Sequence, residues 1–123
     1  MKIAIDLDNT ITSTDKSSSF FSLITNLLKG KARIYIITNR DPSTASEIEI
    51  ILEDLNIYFD CLIMTAEKEK WIIDEKIDVF FEDTDEYFLD LPKEVVVFKI
   101  REDGNFDFSD KKWIYGDKTG KKL

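Results

Sequence analysis

Two aspartates that stand two positions apart are the first chemical feature of this sequence. Asp6 and Asp8 follow an apolar run that begins at the first methionine, in the stretch IDLDNT. Carboxylates repel each other, but residues two apart on an extended chain point to the same side, so both can address one reacting group. One carboxylate can act as a nucleophile and the other, when protonated, as a general acid.

Further polar side chains follow the later apolar segments. Thr38 and Asn39 end the second predicted strand, Lys68 follows the third, and Glu82 and Asp83 end the fourth. Ligands of an open parallel sheet bind beyond the carboxyl ends of its strands, so we expect these side chains to share one edge. Mg²⁺ takes oxygen ligands of this kind, and a bound cation favours the ionised form of clustered acids. The set predicts phosphoryl chemistry on a divalent cation.

The composition narrows the chemistry. The chain has 123 residues, a formal net charge of −8, no histidine and a single cysteine, Cys61. The absence of histidine excludes imidazole bases and imidazole metal ligands, and the negative charge argues against non-specific nucleic-acid binding. The single cysteine allows no intramolecular disulfide, and no apolar run is long enough to span a bilayer. We therefore expect one domain over residues 1–123, cytoplasmic, with no membrane partner and no signal peptide.

The elements that must position these residues alternate between strand and helix, which is typical of a parallel α/β sheet. Short apolar runs predict strands at 2–7, 33–38, 61–64, 79–82 and 95–100, with helices over about 17–30, 44–55 and 66–76. The second run is continuous and β-branched, as expected for a strand that is covered on both faces. The tail, over about 101–123, alternates aromatic residues and is expected to pack on the core as a hairpin or extended segment; these are Phe106, Phe108, Trp113 and Tyr115.

The helical segments carry their own signals. The first segment has apolar residues at helical spacing, which predict its buried stripe: Phe20, Leu23, Ile24, Leu27 and Leu28. One of the serines at 17–19 is expected to cap its start, and Gly30 to follow its end. In the second segment, Thr44 and Glu47 fit a capping box.

Four stretches of this sequence resemble, in the same order, the motifs of the haloacid dehalogenase superfamily of phosphohydrolases. DLDNT at 6–10 is similar to the DxDxT signature, and IITNR at 36–40 is similar to the second motif, a strand that ends in Thr or Ser. Lys68 precedes IDVFFEDTDE at 77–86, which resembles the family's lysine followed by a strand with an acidic pair. One such motif has limited specificity, whereas four in order indicate the family strongly.

The resemblance implies a role for each matching residue. Asp6 would attack phosphorus and form an aspartyl-phosphate. Asp8 would protonate the leaving oxygen and later help to activate water, while its backbone carbonyl coordinates Mg²⁺. Thr38 and the Asn39 amide would hold the phosphoryl oxygens, and Lys68 would offset their charge.

The acidic pair and the lysine each leave one point open. Asp83 would ligate the metal, directly or through water, together with Asp6 and Asp8. Glu82 would assist, although many members of the family have Asp at that position. Lys70 is the fallback for the phosphate lysine, because spacing alone favours Lys68 by only a small margin.

The resemblance also implies the architecture, a three-layer Rossmann-like doubly wound sheet that is mostly parallel and has about five core strands. Only about 29 residues separate Asp8 from Thr38, so there is no room for a cap domain after the first motif. Members without a cap often act on large substrates or use a neighbouring subunit as a lid. The substrate expected is a phosphorylated compound such as a nucleotide or another metabolite, with a polynucleotide end or a phosphoprotein as alternatives.

Other classes of function stay open. A receiver-like phosphoacceptor domain has similar size and acidity, but there the lysine comes last, whereas Lys68 here precedes the acidic pair. A non-catalytic binding module is the third hypothesis. The presence of both Asp6 and Asp8 in this chain argues against it, because loss of one of them would be the mark of a degenerate site. A homo-oligomer is possible, and Arg40 is expected either to reach the substrate phosphate or to pair with Asp41.

Overall fold

A computed structural model describes residues 1–114, which form an α/β structure. Its main sheet has five strands, all parallel, in the order β3-β2-β1-β4-β5. The strands are β1 (Lys2–Asp6), β2 (Arg33–Thr38), β3 (Cys61–Met64), β4 (Val79–Glu82) and β5 (Val96–Lys99). The predicted parallel α/β sheet is therefore confirmed, and each strand begins and ends within one residue of its predicted limits. The strand order is compatible with a Rossmann-like fold.

Three α-helices connect the strands, namely α1 (Asp15–Leu28), α2 (Ala45–Asp54) and α3 (Lys68–Asp74). Two short 3-10 turns, Pro42–Thr44 and Asp85–Phe88, follow β2 and β4. A two-stranded antiparallel hairpin completes the described part, formed by β6 (Phe106–Asp107) and β7 (Lys112–Trp113). Among residues 1–114, no helix combines the length and the apolar character needed to cross a bilayer.

Side chains of β1 and β2 alternate between two hydrophobic clusters, as the period of two along a strand requires. One cluster contains Ile5 and Ile36 together with Phe21 from α1 and Ile48 from α2. The other contains Ala4, Tyr35, Ile37 and Phe80 from the strands together with Ile72 from α3. Burial on both faces explains why the second strand, RIYIIT, has no polar residue before its terminal threonine apart from Arg33.

Helix α1 begins earlier than the sequence predicts. Its N-cap is Thr14, whose Oγ1 accepts a hydrogen bond from the backbone N–H of Ser17 at 3.1 Å, so the expected cap within 17–19 is wrong. The serines instead lie inside the helix. Gly30 follows the helix end with φ of 76°, a left-handed conformation that glycine adopts without steric cost, so the expected C-terminal glycine is confirmed.

The buried stripe of α1 also differs from the prediction. Phe20, Leu23 and Leu27 are 50%, 74% and 65% exposed, while Phe21 and Thr25 are buried. Phe21 and Thr25 lie four residues apart and face the sheet, so the helix is rotated relative to the expected stripe. The apolar side chains from Phe20 to Leu28 cover an arc of about 160°, and the sheet packs against only one side of it. Ile24 and Leu28 of the expected stripe do contact the core, so the prediction is correct in part.

The start of α2 is held by Asp41 and not by the predicted capping box. The Asp41 carboxylate accepts from the N–H of Ser43 at 2.8 Å, and the Thr44 hydroxyl donates to the backbone carbonyl of Asp41 at 2.7 Å. Thr44 makes no side-chain cap, so the expected Thr44–Glu47 box is wrong. The proline at 42 lets a 3-10 turn precede the helix, and that turn takes over the capping.

The tail forms the expected hairpin as far as it is described. Phe106 pairs with Trp113 across the two strands, and the rings of Phe106 and Phe108 lie 5.0 Å apart between centroids. The expected role of Tyr115 lies outside the described residues. Lys99 joins the hairpin to the sheet, because its Nζ lies 3.9 Å from the centroid of the Trp113 ring.

Candidate active site

The order of the strands places the candidate site. From β1 the chain moves outward through β2 to β3, and it then crosses to the opposite side of β1 to form β4 and β5. The direction of winding therefore reverses between β1 and β4, and the crevice at such a reversal is where open α/β sheets bind ligands. Asp6 ends β1, and Glu82 ends β4 with Asp83 directly after it. The two acidic pairs identified in the sequence thus flank one crevice.

A tight turn after β1 returns the chain toward Asp6. Asp8 is extended, with φ of −71° and ψ of 131°, whereas Asn9 adopts φ of 58° and ψ of 12°. This left-handed conformation is one that asparagine tolerates better than most residues. It allows the buried Thr10 to donate a hydrogen bond from its hydroxyl to Asp6 Oδ2 at 3.0 Å. The threonine of the DLDNT stretch therefore holds the first aspartate.

Asp6 is the centre of the polar contacts. Its carboxylate is buried, with Oδ1 2.5 Å from Lys68 Nζ and Oδ2 bonded to Thr10. Lys68 Nζ also lies 3.2 and 3.3 Å from the two carboxylate oxygens of Glu82. Asp83 Oδ1 is 3.4 Å from the Thr10 hydroxyl. One lysine and one hydroxyl thus link three carboxylates from two strands.

Lys68 lies at the start of α3, and its side chain is almost fully buried. Burial lowers the pKa of its ammonium, but the charges of Asp6 and Glu82 together outweigh burial and leave the pKa raised. Its Nζ also lies 4.9 Å from the centroid of the Tyr87 ring, which is close enough for a cation–π contact. Lys70 is exposed, so the structure brings Lys68 and not Lys70 to the crevice.

The acidic pair after β4 has strongly perturbed acidity. Burial, followed by the negative charge of Asp6, raises the pKa of Glu82 to about 9 against the opposing effect of Lys68. Burial and the nearby Asp6 carboxylate raise the pKa of Asp83 to about 8. Lys68 contacts two of the three carboxyl groups, so ionisation of all three would leave an excess of negative charge in a buried place. A cation is the ligand that would relieve it.

The donor set fits a divalent metal ion. Asp6, Glu82 and Asp83 each offer one carboxylate oxygen, and these oxygens all lie within 4.8 Å of one another. Carboxylate oxygens are the ligands that Mg²⁺ prefers, with water filling the remaining positions. The Asp8 carboxylate does not belong to this group. The atom of Asp8 that the resemblance implies as a ligand is its backbone carbonyl, and that expectation stays a prediction.

Asp8 has a different partner from Asp6. Both of its oxygens accept hydrogen bonds from the Arg40 guanidinium, at 2.9 Å from Nε and 2.6 Å from Nη2. The ion pair is partly exposed at the edge of the crevice. In the described structure Arg40 therefore pairs with Asp8, and Asp41, one of the two partners that the sequence left open, instead caps the turn that follows.

Thr38 and Asn39 lie where the sequence places them, at the end of β2. Thr38 is buried, and its Oγ1 accepts a hydrogen bond from the Arg40 N–H at 3.2 Å. Asn39 follows it and is exposed. β1 and β2 are neighbours with Asp6 opposite Ile37, so Thr38 lies one residue beyond Asp6 along the crevice.

Three residues of the site were not singled out from the sequence. Tyr87, in the turn after β4, covers Lys68. Asn105 is buried and donates from Nδ2 to the carbonyls of Asp83 and Ile100, both at 2.6 Å. Thr10 was part of a recognised stretch but had no assigned role. The DLDNT spacing could have pointed to Thr10, whereas nothing in the polar tail distinguishes Asn105 from its neighbours.

Comparison of this chain with protein-family models, with curated proteins and with solved structures finds no match.

Proposed function

We propose that this chain is a Mg²⁺-dependent phosphomonoesterase that works through an aspartyl-phosphate on Asp6. The observation that carries the proposal is the arrangement around Asp6, where a buried lysine, a threonine hydroxyl and two further carboxylates meet at the reversal point of a parallel sheet. A structural ion pair needs one acid for one lysine, whereas here Lys68 contacts two acids, and a third, Asp83, lies beside them. The resemblance to the haloacid dehalogenase superfamily supports the same reading.

In the proposed first step, an Asp6 oxygen attacks the phosphorus of the substrate. The bond from phosphorus to the leaving oxygen breaks, and the leaving oxygen takes a proton from Asp8. Thr38 and the backbone amide of Asn39 bind the phosphoryl oxygens, and Lys68 balances part of their charge. Mg²⁺, held by Asp6, Asp83 and the Asp8 carbonyl with Glu82 close by, would supply further positive charge for the phosphoryl group.

In the second step, a water molecule attacks the phosphorus of the aspartyl-phosphate and gives its proton to Asp8. The bond from phosphorus to the Asp6 oxygen breaks, which releases inorganic phosphate and restores both aspartates. One Asp8 oxygen must leave the Arg40 guanidinium to exchange this proton, because both oxygens accept from Arg40 at rest, while the other oxygen keeps its hydrogen bond and so the orientation of Asp8. Thr10 keeps the Asp6 carboxylate in place through both steps.

The finer architecture belongs to the same proposal. We propose three layers, since α1 and α2 contribute to one hydrophobic cluster of the sheet and α3 to the other. We also propose that there is no cap, since one helix and its turns fill each interval between the motif-bearing strands. A crevice without a cap would admit nucleotides and other phosphorylated metabolites, with polynucleotide ends or phosphoproteins as alternatives. The cytoplasmic location stays a prediction from composition.

The test is hydrolysis of an aryl phosphate by the purified chain in the presence and absence of Mg²⁺. We expect Mg²⁺-dependent release of phosphate by the native chain and none by Asp6→Asn. Asp74→Asn, which changes an exposed aspartate at the end of α3, is the matched control and should keep full activity. Full activity in Asp6→Asn would refute the proposal, as would a native chain without activity.

A second experiment distinguishes a phosphatase from the receiver-like alternative. A receiver-like domain would take a phosphoryl group from a small acyl phosphate and retain it for a long time without net hydrolysis. Intact-mass analysis of the native chain after such treatment would detect the retained phosphoryl group, and Asp6→Asn would not acquire it.

A further inference from the structure

One apolar surface of the molecule contains none of the residues that form the crevice. It comprises five large side chains that are each at least half exposed, which we name the apolar flank: Phe20, Leu23, Leu27, Val96 and Phe98. The first three lie on α1 and the other two on β5. Isolated exposed apolar residues are normal on protein surfaces, but contiguous ones mark interaction sites.

A series of ring contacts shows that the two parts of the apolar flank are contiguous. The centroids of Phe20 and Phe21 are 5.2 Å apart, and those of Phe21 and Phe81 are 5.3 Å apart. Phe81 then stacks on Phe98, with 4.9 Å between centroids and 14° between planes. One series of ring contacts, through the buried Phe21 and the half-buried Phe81, therefore joins the helix side of the flank to its strand side.

Helix α2 does not cover this side of α1. Ser22 and Asn26 both donate to the carbonyl of Asn56, which follows α2, so they mark the flank of α1 that faces α2. At 3.6 residues per turn, Phe20 lies on the opposite side of the helix from Ser22. The side of α1 that carries Phe20 thus turns toward β5 and the end of the sheet.

The strand side of the flank is the end strand of the sheet. Within residues 1–114, β5 pairs only with β4. Val96 N donates to the carbonyl of Asp78 and Ile100 N to the carbonyl of Glu82, both toward β4. The backbone groups of Val97, which stands between them, therefore point to the outer edge. An end strand with exposed apolar side chains is a template for a further strand.

We propose that the occupant of the apolar flank is a second copy of this chain, joined through antiparallel pairing of the two β5 strands about a twofold axis. With the axis at Val97, the two Val97 residues exchange backbone hydrogen bonds. Val96 then lies opposite Phe98 of the second copy, so that an apolar side chain meets an apolar side chain on the flank. The two α1 helices approach each other over the joined strands with their Phe20, Leu23 and Leu27 stripes in contact.

Area and symmetry favour a second copy over an unrelated partner. The five side chains of the flank expose on the order of 500 Å² of apolar surface, judged from typical side-chain areas. The edge backbone and the polar rim bring this near the ~800 Å² that each partner buries in a standard interface. A twofold interface must also be self-complementary, and the pairing of Val96 with Phe98 about Val97 meets that condition.

The test is the mass of the full chain in solution, measured by light scattering and sedimentation equilibrium over a wide concentration range. We expect twice the chain mass of 14.3 kDa, in a concentration-dependent equilibrium. Leu23→Glu and Phe98→Glu should each weaken association at least about tenfold, since each places a charge in the centre of the interface. Ile50→Glu is the matched control, because Ile50 is 58% exposed on α2, outside the flank, and this variant should remain a dimer.

Hydrogen exchange adds the second readout. The Val97 amide should exchange more slowly as the concentration of the native chain rises, and should lose this dependence in Leu23→Glu. If Leu23→Glu does not fold, Leu27→Glu replaces it, and circular dichroism verifies folding in either case. A native chain that is monomeric at all concentrations would overturn the proposal. A dimer that is indifferent to both flank substitutions would do the same, and neither result bears on the phosphatase proposal.

Discussion

Arg40 donates two hydrogen bonds to Asp8, one to each carboxylate oxygen, while its backbone N–H donates to Thr38 Oγ1. A single residue after β2 thus connects the second aspartate of one motif with the threonine of another. Asp6 has no such contact, since it is buried against Lys68 and Thr10. Two aspartates that are two positions apart therefore have different partners and different exposure, which is consistent with the different chemical roles proposed for them.

The first prediction concerns this ion pair. Because the pair is partly exposed, Arg40→Ala should change the free energy of unfolding by no more than about 1 kcal/mol. It should nevertheless lower kcat for an aryl phosphate by about ten- to a hundredfold, because Asp8 loses the group that orients it. Arg40→Lys should restore little of the loss, since a lysine cannot bind both oxygens in a planar fork.

Urea unfolding and steady-state hydrolysis measure the two effects separately. Arg33→Ala is the matched control, because Arg33 contacts Tyr35 and Cys61 at the start of β2, at the opposite end of that strand from Thr38. An Arg40→Ala protein with native kcat would show that Asp8 needs no orientation by Arg40.

The sequence was sufficient for the strands because their apolar runs are short and are bounded by polar or turn residues. The side of α1 that faces the sheet was predicted only in part, since the apolar side chains of the helix cover an arc of about 160°, which is wider than the face that the sheet covers. Only tertiary packing determined that Phe21 is buried and Leu23 exposed.

The residues of the candidate site were likewise predictable only in part from the sequence. Asp6, Lys68 and Asp83 were predictable because motif order and strand ends place them at one edge of the sheet. The partnership of Arg40 with Asp8 was not, since it spans 32 positions and depends on how two loops approach each other. Asn105 was not predictable either, because a buried asparagine in a polar tail carries no local signal.

The second prediction concerns the buried lysine. Lys68→Met removes the only ammonium that contacts both Asp6 and Glu82 among residues 1–114, and leaves these two buried acidic groups without their charged partner. We expect a loss of about 3–5 kcal/mol in the free energy of unfolding, together with loss of phosphate release. Lys70→Met changes an exposed lysine on the same helix and should alter stability by less than about 0.5 kcal/mol.

Chemical denaturation of both variants checks this prediction. Added Mg²⁺ should recover part of the stability of Lys68→Met, because a cation bound by the three carboxylates replaces the missing charge. Equal stability of the two variants would contradict the arrangement around Asp6.

The third prediction is a dependence of stability on pH. In the folded chain the pKa of Glu82 is raised to about 9 and that of Asp83 to about 8, against 4.5 and 3.8 as ordinary values. Between the ordinary and the raised pKa values, the folded state therefore holds protons that the unfolded state releases. The free energy of unfolding consequently falls as pH rises through this range. In the presence of a chelator, the melting temperature at pH 8 should lie below that at pH 6.

Mg²⁺ should reverse this trend, since it competes with protons for the same carboxylates and binds better as pH rises. Glu82→Gln should flatten the dependence on pH in chelator, whereas Glu53→Gln, at an exposed position on α2, should leave it unchanged. Thermal unfolding, monitored by circular dichroism, gives the melting temperature at pH 6 and at pH 8, each in chelator and in Mg²⁺. A melting temperature that rises from pH 6 to pH 8 without metal would contradict the raised pKa values.

The fourth prediction concerns Asn105, which ties the tail to the site. Its Nδ2 donates to the carbonyls of Asp83 and Ile100, so Asn105→Ala leaves two carbonyls without their donor in a buried place. We expect a loss of about 1–3 kcal/mol in the free energy of unfolding. Asn26→Ala is the matched control, because its Nδ2 also donates to two carbonyls, those of Ser22 and Asn56, but at exposed positions where water replaces it.

The two asparagines also differ in their distance from the chemistry. Loss of the Asn105 contact frees the backbone of Asp83, so Asn105→Ala should raise the Mg²⁺ concentration needed for half-maximal phosphate release, while Asn26→Ala should not. Titration of activity with Mg²⁺ at fixed substrate measures this shift. If both variants lose similar stability and keep the native Mg²⁺ requirement, Asn105 serves only to attach the tail, and Asp83 is held by β4 alone.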